Sequence, residues 1–205
     1  LPEPVSQRRI AQTVLKARGI ARLAELRAEG VTAATMSRME RNGEVLRLAR
    51  GLYQLPDVPL DVHHSLAEAA KRLPKGVVCL VSALAFHDLT DQLPKHVWMA
   101  IGQKDWAPKA DGVSIRLVRF TDRLLADGVE SHTVEGVSVK VFDVAKTIAD
   151  CFRYRNKIGL SVAIEGLKEA LRQRRATPDE IAKQAERGAV TTVIRPYLVA
   201  LTANG

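Results

Sequence analysis

The sequence predicts an α+β chain, with an N-terminal winged helix-turn-helix domain, residues 1–57, followed by a mixed α/β C-terminal domain, residues 60–205. Three observations predict it. The first 42 residues carry apolar side chains at helical spacing, and after Asn42-Gly43 that period gives way to two short apolar runs parted by Ala49-Arg50-Gly51. Pro56-Asp57-Val58-Pro59 then interrupts any hairpin or helix, because proline fixes φ and donates no N–H. Beyond it, apolar runs of strand length alternate with amphipathic stretches.

Ser6 is placed to cap a first helix that carries Ile10, Ala11, Val14 and Leu15 on one face and is closed by Gly19. A second helix from about Arg22 turns Leu23 and Leu26 inward and ends at Gly30. The third starts at Thr32, whose hydroxyl can accept from free N–H groups of the first turn. It stops at Asn42-Gly43, a pair suited to a left-handed cap. Burying Met36 and Met39, with Val31 before them, turns Ala34, Thr35, Ser37, Arg38 and Arg41 to solvent. Val45, Leu46 and Leu48, then Leu52, Tyr53 and Leu55, read as a hairpin with Arg47 and Arg50 on or near its tip.

In the second part, residues 62–73 read as a helix through Leu66, Ala69, Ala70 and Leu73, ended by Pro74-Lys75-Gly76. Residues 77–81 are an unbroken apolar run read as a buried strand, and Ser82 as the cap of a short helix over 83–87, with the His87 imidazole on its last carbonyls. Residues 97–101 and 114–120 are strands joined by a polar loop. A hairpin turns at Glu135-Gly136. Asp143 caps a helix that buries Val144, Ile148 and Phe152, and residues 158–174 form one more helix with a basic end, Lys168, Arg172, Arg174 and Arg175. Thr177-Pro178-Asp179-Glu180 is a capping box with proline at the first helical position, and a last helix covers about 190–201.

The formal charge is +8 over 205 residues, and its distribution is uneven. Residues 5–56 hold ten Lys and Arg against four acidic residues, whereas residues 57–205 hold 21 against 18. That imbalance favours a polyanion as partner. Cys79 and Cys151 sit in apolar or helical surroundings without C-x-x-C spacing, so buried, reduced thiols are expected. No stretch approaches the roughly 18 apolar residues of a membrane span, and the first residues lack a leader pattern. A soluble cytoplasmic protein with no membrane partner is expected.

A helix face of small hydroxyls and arginines fits a DNA groove: short side chains permit close approach, and arginine pairs with guanine or a phosphate. Thr32, Ala34, Thr35, Ser37, Arg38 and Arg41 are therefore the candidate DNA contacts of the helix, and Arg47 and Arg50 those of the wing. The plainer reading is an amphipathic helix with solvated arginines. For catalysis, His63, His64, His87, His96 and His132 lack metal-ligand spacing, and there is no G-x-S-x-G elbow or phosphate-cradling glycine loop. Asp143, Asp150, Glu165 and Lys168 are the set a metal-dependent nuclease would draw on, yet Asp143 reads better as a helix cap and Glu165 with Lys168 as a surface ion pair. No catalytic residue, metal or cofactor is expected. A nucleic-acid-processing enzyme tethered by a winged helix is the alternative, and a small-molecule sensor the third reading, for which the sequence offers no pocket signature.

The order of these elements, the wing segment LRLARGLYQLP, the segment VVCLVSALAFHDLT and the segment VKVFDVAKTIADCFRYRNKIGL together resemble the AbiEi-type antitoxins of bacterial type IV toxin-antitoxin systems. The resemblance spans nearly the whole chain, and the wing and the Ser-Ala-Leu-x-x-His core are its more specific parts. It implies a winged-helix domain that represses its own operon by binding double-stranded operator DNA with inverted repeats. It also implies a C-terminal domain that protects the cell from a cognate nucleotidyltransferase-like toxin, without requiring direct contact with it.

Overall fold

A computed structural model describes residues 6–57, 61–107 and 111–203. The chain divides into two compact units, the first Leu1–Pro74 with Pro108–Ser114 and Thr133–Val139, the second Lys75–Ala107, Ile115–His132 and Lys140–Gly205. Of the break expected at Pro56-Asp57-Val58-Pro59, Val58 and Pro59 fall outside the described residues. The first unit runs on beyond it and takes in one further helix.

The first unit begins with α1 (Gln7–Arg18), capped by the Ser6 hydroxyl, which accepts from the Arg9 N–H. At Gly19 the backbone takes φ +64°, and a Cβ there would stand 1.9 Å from the Glu135 carbonyl oxygen, so only glycine fits. A short strand that periodicity did not reveal, β1 (Ile20–Arg22), precedes α2 (Leu23–Ala28). Three residues are too few to show a period of two. Then come α3 (Ala33–Arg41), β2 (Leu46–Ala49), β3 (Leu52–Gln54) and α4 (His64–Arg72). The strands make an antiparallel sheet in the order β1-β3-β2, with Arg50-Gly51 at the turn and an irregularity between Arg47 and Ala49. Ala11, Leu15, Leu26, Val31, Met36, Met39, Val45 and Tyr53 close one core beneath it.

The second unit opens with β4 (Val77–Val78) and α5 (Leu80–Phe86). The apolar run over 77–81 is thus a strand for only two residues, after which the chain turns into a buried helix that starts three residues earlier than expected. A wholly apolar run has no period to tell the two apart. Ser82 is not its cap; that position belongs to Cys79, and the Ser82 hydroxyl accepts from the Trp98 N–H at 2.9 Å. There follow β5 (Val97–Gly102), β6 (Ile115–Phe120), α6 (Asp122–Ala126), β7 (Val129–Val134) and β8 (Val137–Phe142). The sheet order is β6-β5-β4-β8-β7, with β4 antiparallel to β5 and parallel to β8, and β5 parallel to β6. Five more helices pack on it or follow: α7 (Val144–Arg153), the short α8 (Arg155–Ile158), α9 (Leu160–Arg172), α10 (Pro178–Arg187) and, last, α11 (Thr191–Thr202) bring the mixed α+β unit to its end. The single helix expected over 158–174 is broken at Gly159, where φ is +95°. Asp143 caps α7 by accepting from the Lys146 N–H at 2.7 Å, and the Thr177–Glu180 capping box opens α10. Cys79 and Cys151 are free thiols, fully buried, and burial pushes both well above the usual thiol range.

Candidate nucleic-acid interface

Helix α3 is set by its two ends and one buried edge. At its start the Thr32 hydroxyl accepts from the Thr35 N–H, and at its end Asn42 closes the last turn before Gly43 at φ +71°. Met36 and Met39 are 0% and 2% exposed, which fixes the rotation of the helix. Ala34, Ser37, Arg38 and Arg41 are all exposed. Their spacing of i, i+3, i+4 and i+7 makes a single stripe opposite the two methionines. The Arg41 guanidinium reaches back to the Ser37 carbonyl at 3.3 Å.

Thr32 and Thr35 are placed differently. Both hydroxyls and the Thr32 N–H converge on the Gln7 side-chain oxygen, at 3.0, 2.7 and 3.1 Å. The two threonines therefore pin the start of α3 to the start of α1. Gln7 was not among the sequence candidates, since its partners lie 25 and 28 residues away and no local pattern marks them.

On the hairpin, Arg47 and Arg50 are both exposed. Arg47 approaches Glu40 of α3 to 4.0 Å, which puts β2 beside the exposed stripe. The Arg50 N–H donates to the Asp111 carboxylate at 2.5 Å, so the tip is held from a segment far along the chain while its side chain stays in solvent. Acidic groups temper the basic face: Glu40 lies near Arg47, and Glu44 pairs with Arg8 at 2.5 Å. The counts of charge along the sequence did not show this pairing.

The residues weighed for chemistry have separate employments. Asp143 is the α7 cap, Asp150 is ion-paired with Lys146 at 2.6 Å, and Glu165 accepts from the Thr90 hydroxyl at 3.1 Å. Among the described residues no three His, Cys, Asp or Glu are grouped so as to hold a metal ion. His87 does end α5, but its ring meets the Phe142 carbonyl at 2.7 Å rather than the carbonyls of its own helix. Burial pushes its pKa below the usual imidazole value. His64 meets Glu135 at 2.7 Å. Among the described residues no helix is long and apolar enough to cross a membrane.

Residues 8–56, which hold α1 to the end of the hairpin, match the profile of a family of transcriptional regulators. That family is described as transcriptional regulators, the AbiEi antitoxins (AbiEi_4), and this segment of the chain is similar to it, which supports an AbiEi-type regulator. The fold of the whole chain is similar to that in the crystal structure of the RV2827C protein from Mycobacterium tuberculosis, with a TM-score of 0.59 and 10% identity over 97% of this chain and 84% of that one. No curated protein matches the chain.

Proposed function

We propose that the protein is a sequence-specific transcriptional repressor whose first unit is a winged helix-turn-helix. In this reading it is the antitoxin of a bacterial type IV toxin-antitoxin operon, autoregulating that operon and countering a nucleotidyltransferase-like toxin. The observation that carries the reading is the exposed stripe of Ala34, Ser37, Arg38 and Arg41, opposite buried Met36 and Met39 and flanked by a hairpin bearing Arg47 and Arg50. The small residues let the helix approach base edges and the two arginines read them, while Arg47 and Arg50 hold the phosphates. Thr32 and Thr35, tied to Gln7, set the angle at which the helix enters the groove.

The reading is tested by titrating the protein against the DNA upstream of its own gene and a scrambled duplex of equal length, at two salt concentrations. A native-site preference of about a hundredfold or more is the result expected of a repressor. Equal binding to both, with steep salt dependence, would reduce the first unit to a tether.

A further inference from the structure

Two ties hold the hairpin tip of the first unit, and they differ in kind. The Gly51 carbonyl accepts from the Leu23 N–H at 2.8 Å, a neutral bond to the start of α2. With the β1-β3-β2 ladder, that bond already sets where the Arg50-Gly51 turn stands. The other tie is an anion. The Asp111 carboxylate accepts from the Arg50 N–H at 2.5 Å, and both residues are exposed.

The carboxylate is delivered to the tip by a fixed piece of chain within the same unit. Two residues on, α4 grips Val113 from both sides: its N–H donates to Glu68 Oε1 at 2.7 Å, and its carbonyl accepts from Arg72 Nη1 at 2.5 Å. Between them Gly112 takes φ +68°, and a Cβ there would stand 2.9 Å from the Leu48 carbonyl oxygen of β2. Only glycine passes the hairpin so closely. Asp111 is therefore presented to the turn at a high effective concentration.

Arg50 lies in the turn, outside the paired positions of β2 and β3, so the ladder offers its N–H no partner. A main-chain N–H in a turn beside a solvent-exposed guanidinium is a donor set suited to a phosphate oxygen. Asp111 fills it with an oxygen of the same charge sign. A carboxylate and a phosphate repel at such range and cannot both accept the one hydrogen.

We propose that Asp111 occupies on the hairpin tip the place of a DNA backbone phosphate, and that this carboxylate must leave before the tip closes on DNA. The inference rests on the proposed reading of the hairpin as a DNA-binding wing, and it adds a competitor carried by the chain itself. Because phosphate contacts hold no sequence information, Asp111 lowers affinity for every sequence alike.

The test uses the whole chain and two duplexes, the DNA upstream of its own gene and a scrambled sequence of equal length. Asp111→Asn keeps an acceptor for the Arg50 N–H and removes the charge, whereas Asp111→Ala removes both. Each variant is expected to bind both duplexes about three- to tenfold more tightly than the parent at low salt, with the ratio between duplexes unchanged. In an Arg50→Ala background the gain should largely disappear, since the contact that Asp111 competes with has gone. Weaker binding by Asp111→Ala would mean that the carboxylate holds the wing ready for DNA, and would overturn the proposal. So would variants that bind as the parent does, or a gain that persists undiminished without the Arg50 side chain. Arg50→Ala alone separates the two levels of the argument: if it binds as the parent does, the hairpin is no DNA-binding wing and the proposal falls with that reading. If it binds more weakly while the Asp111 variants gain nothing, only the competitor falls.

Discussion

The Thr35 hydroxyl donates to Gln7 Oε1 at 2.7 Å, and through that bond the exposed helix of the first unit takes its position from the first turn of α1. Because the Thr32 N–H and hydroxyl share the same oxygen, removing Gln7 releases three donors at once. Gln7→Ala and Thr35→Val should each lower stability by about 1 kcal/mol, and the double variant should cost less than their sum by a similar amount. Urea unfolding of the four proteins measures this. Strict additivity would mean that the bridge does not position α3.

Arg38 and Arg50 should fail in different ways. Arg38 stands in the middle of the exposed stripe, and on the proposed reading its guanidinium reads a base edge, so Arg38→Ala should lose roughly 1–3 kcal/mol of discrimination between the operator and a site changed at one base pair. Arg50 stands at the hairpin turn. Arg50→Ala should weaken binding to every sequence alike and flatten the dependence of log K on log salt by about one unit. Affinity titrations across a salt series separate the two, and an unchanged slope for Arg50→Ala would remove the hairpin tip from the interface.

Helix α3 was legible because local signals fix it: a threonine cap at one end, Asn42-Gly43 at the other, and a methionine pair that can face only inward. The α10 capping box was legible for the same reason. What escaped the sequence depends on partners far along the chain. Gln7 meets Thr35 28 residues away, and the Arg50 N–H meets Asp111 61 residues away. The apolar run over 77–81 misled because burial on every side erases the alternation that distinguishes strand from helix.

Glu25 links α2 to α4 within the first unit. Its carboxylate accepts from the Arg22 N–H at 2.6 Å and from the Lys71 ammonium at 2.8 and 3.0 Å, while the Arg22 guanidinium donates to the Lys71 carbonyl. Partial burial pushes the Glu25 pKa up, but the Arg22 N–H and the Lys71 charge outweigh it and hold the carboxyl below its ordinary 4.5. A carboxyl depressed in the folded state stabilises the fold above its unfolded pKa and loses that contribution as pH falls through the folded value. Allowing for its partial exposure, Glu25→Gln should cost about 1 kcal/mol at neutral pH. The gap should narrow as pH falls below the ordinary 4.5 and close once the folded carboxyl is protonated. Urea unfolding from pH 7 down to pH 3 follows it, and a gap that is constant with pH would show that the charge on Glu25 contributes nothing.

The Lys146–Asp150 pair should behave in the opposite way to a surface ion pair. Its side chains are 2% and 1% exposed, the two groups are 2.6 Å apart one turn along α7, and the ammonium lies 4.9 and 4.8 Å from the Phe120 and Phe142 ring centres. The second Asp150 oxygen is buried without a hydrogen bond, so the pair is only partly compensated for its lost hydration. Asp150→Leu strands a buried ammonium beside two aromatic rings and should cost about 3–5 kcal/mol, and Lys146→Met strands the carboxylate with a similar penalty. Joining the two changes removes both charges and leaves an apolar core of comparable volume, so the double variant should be more stable than either single one and close to the parent. Chemical denaturation of the four proteins decides the matter. A double variant as unstable as the sum of its singles would show that the two charges are not coupled, and would overturn the account of mutual neutralisation in a core that cannot hold either charge alone.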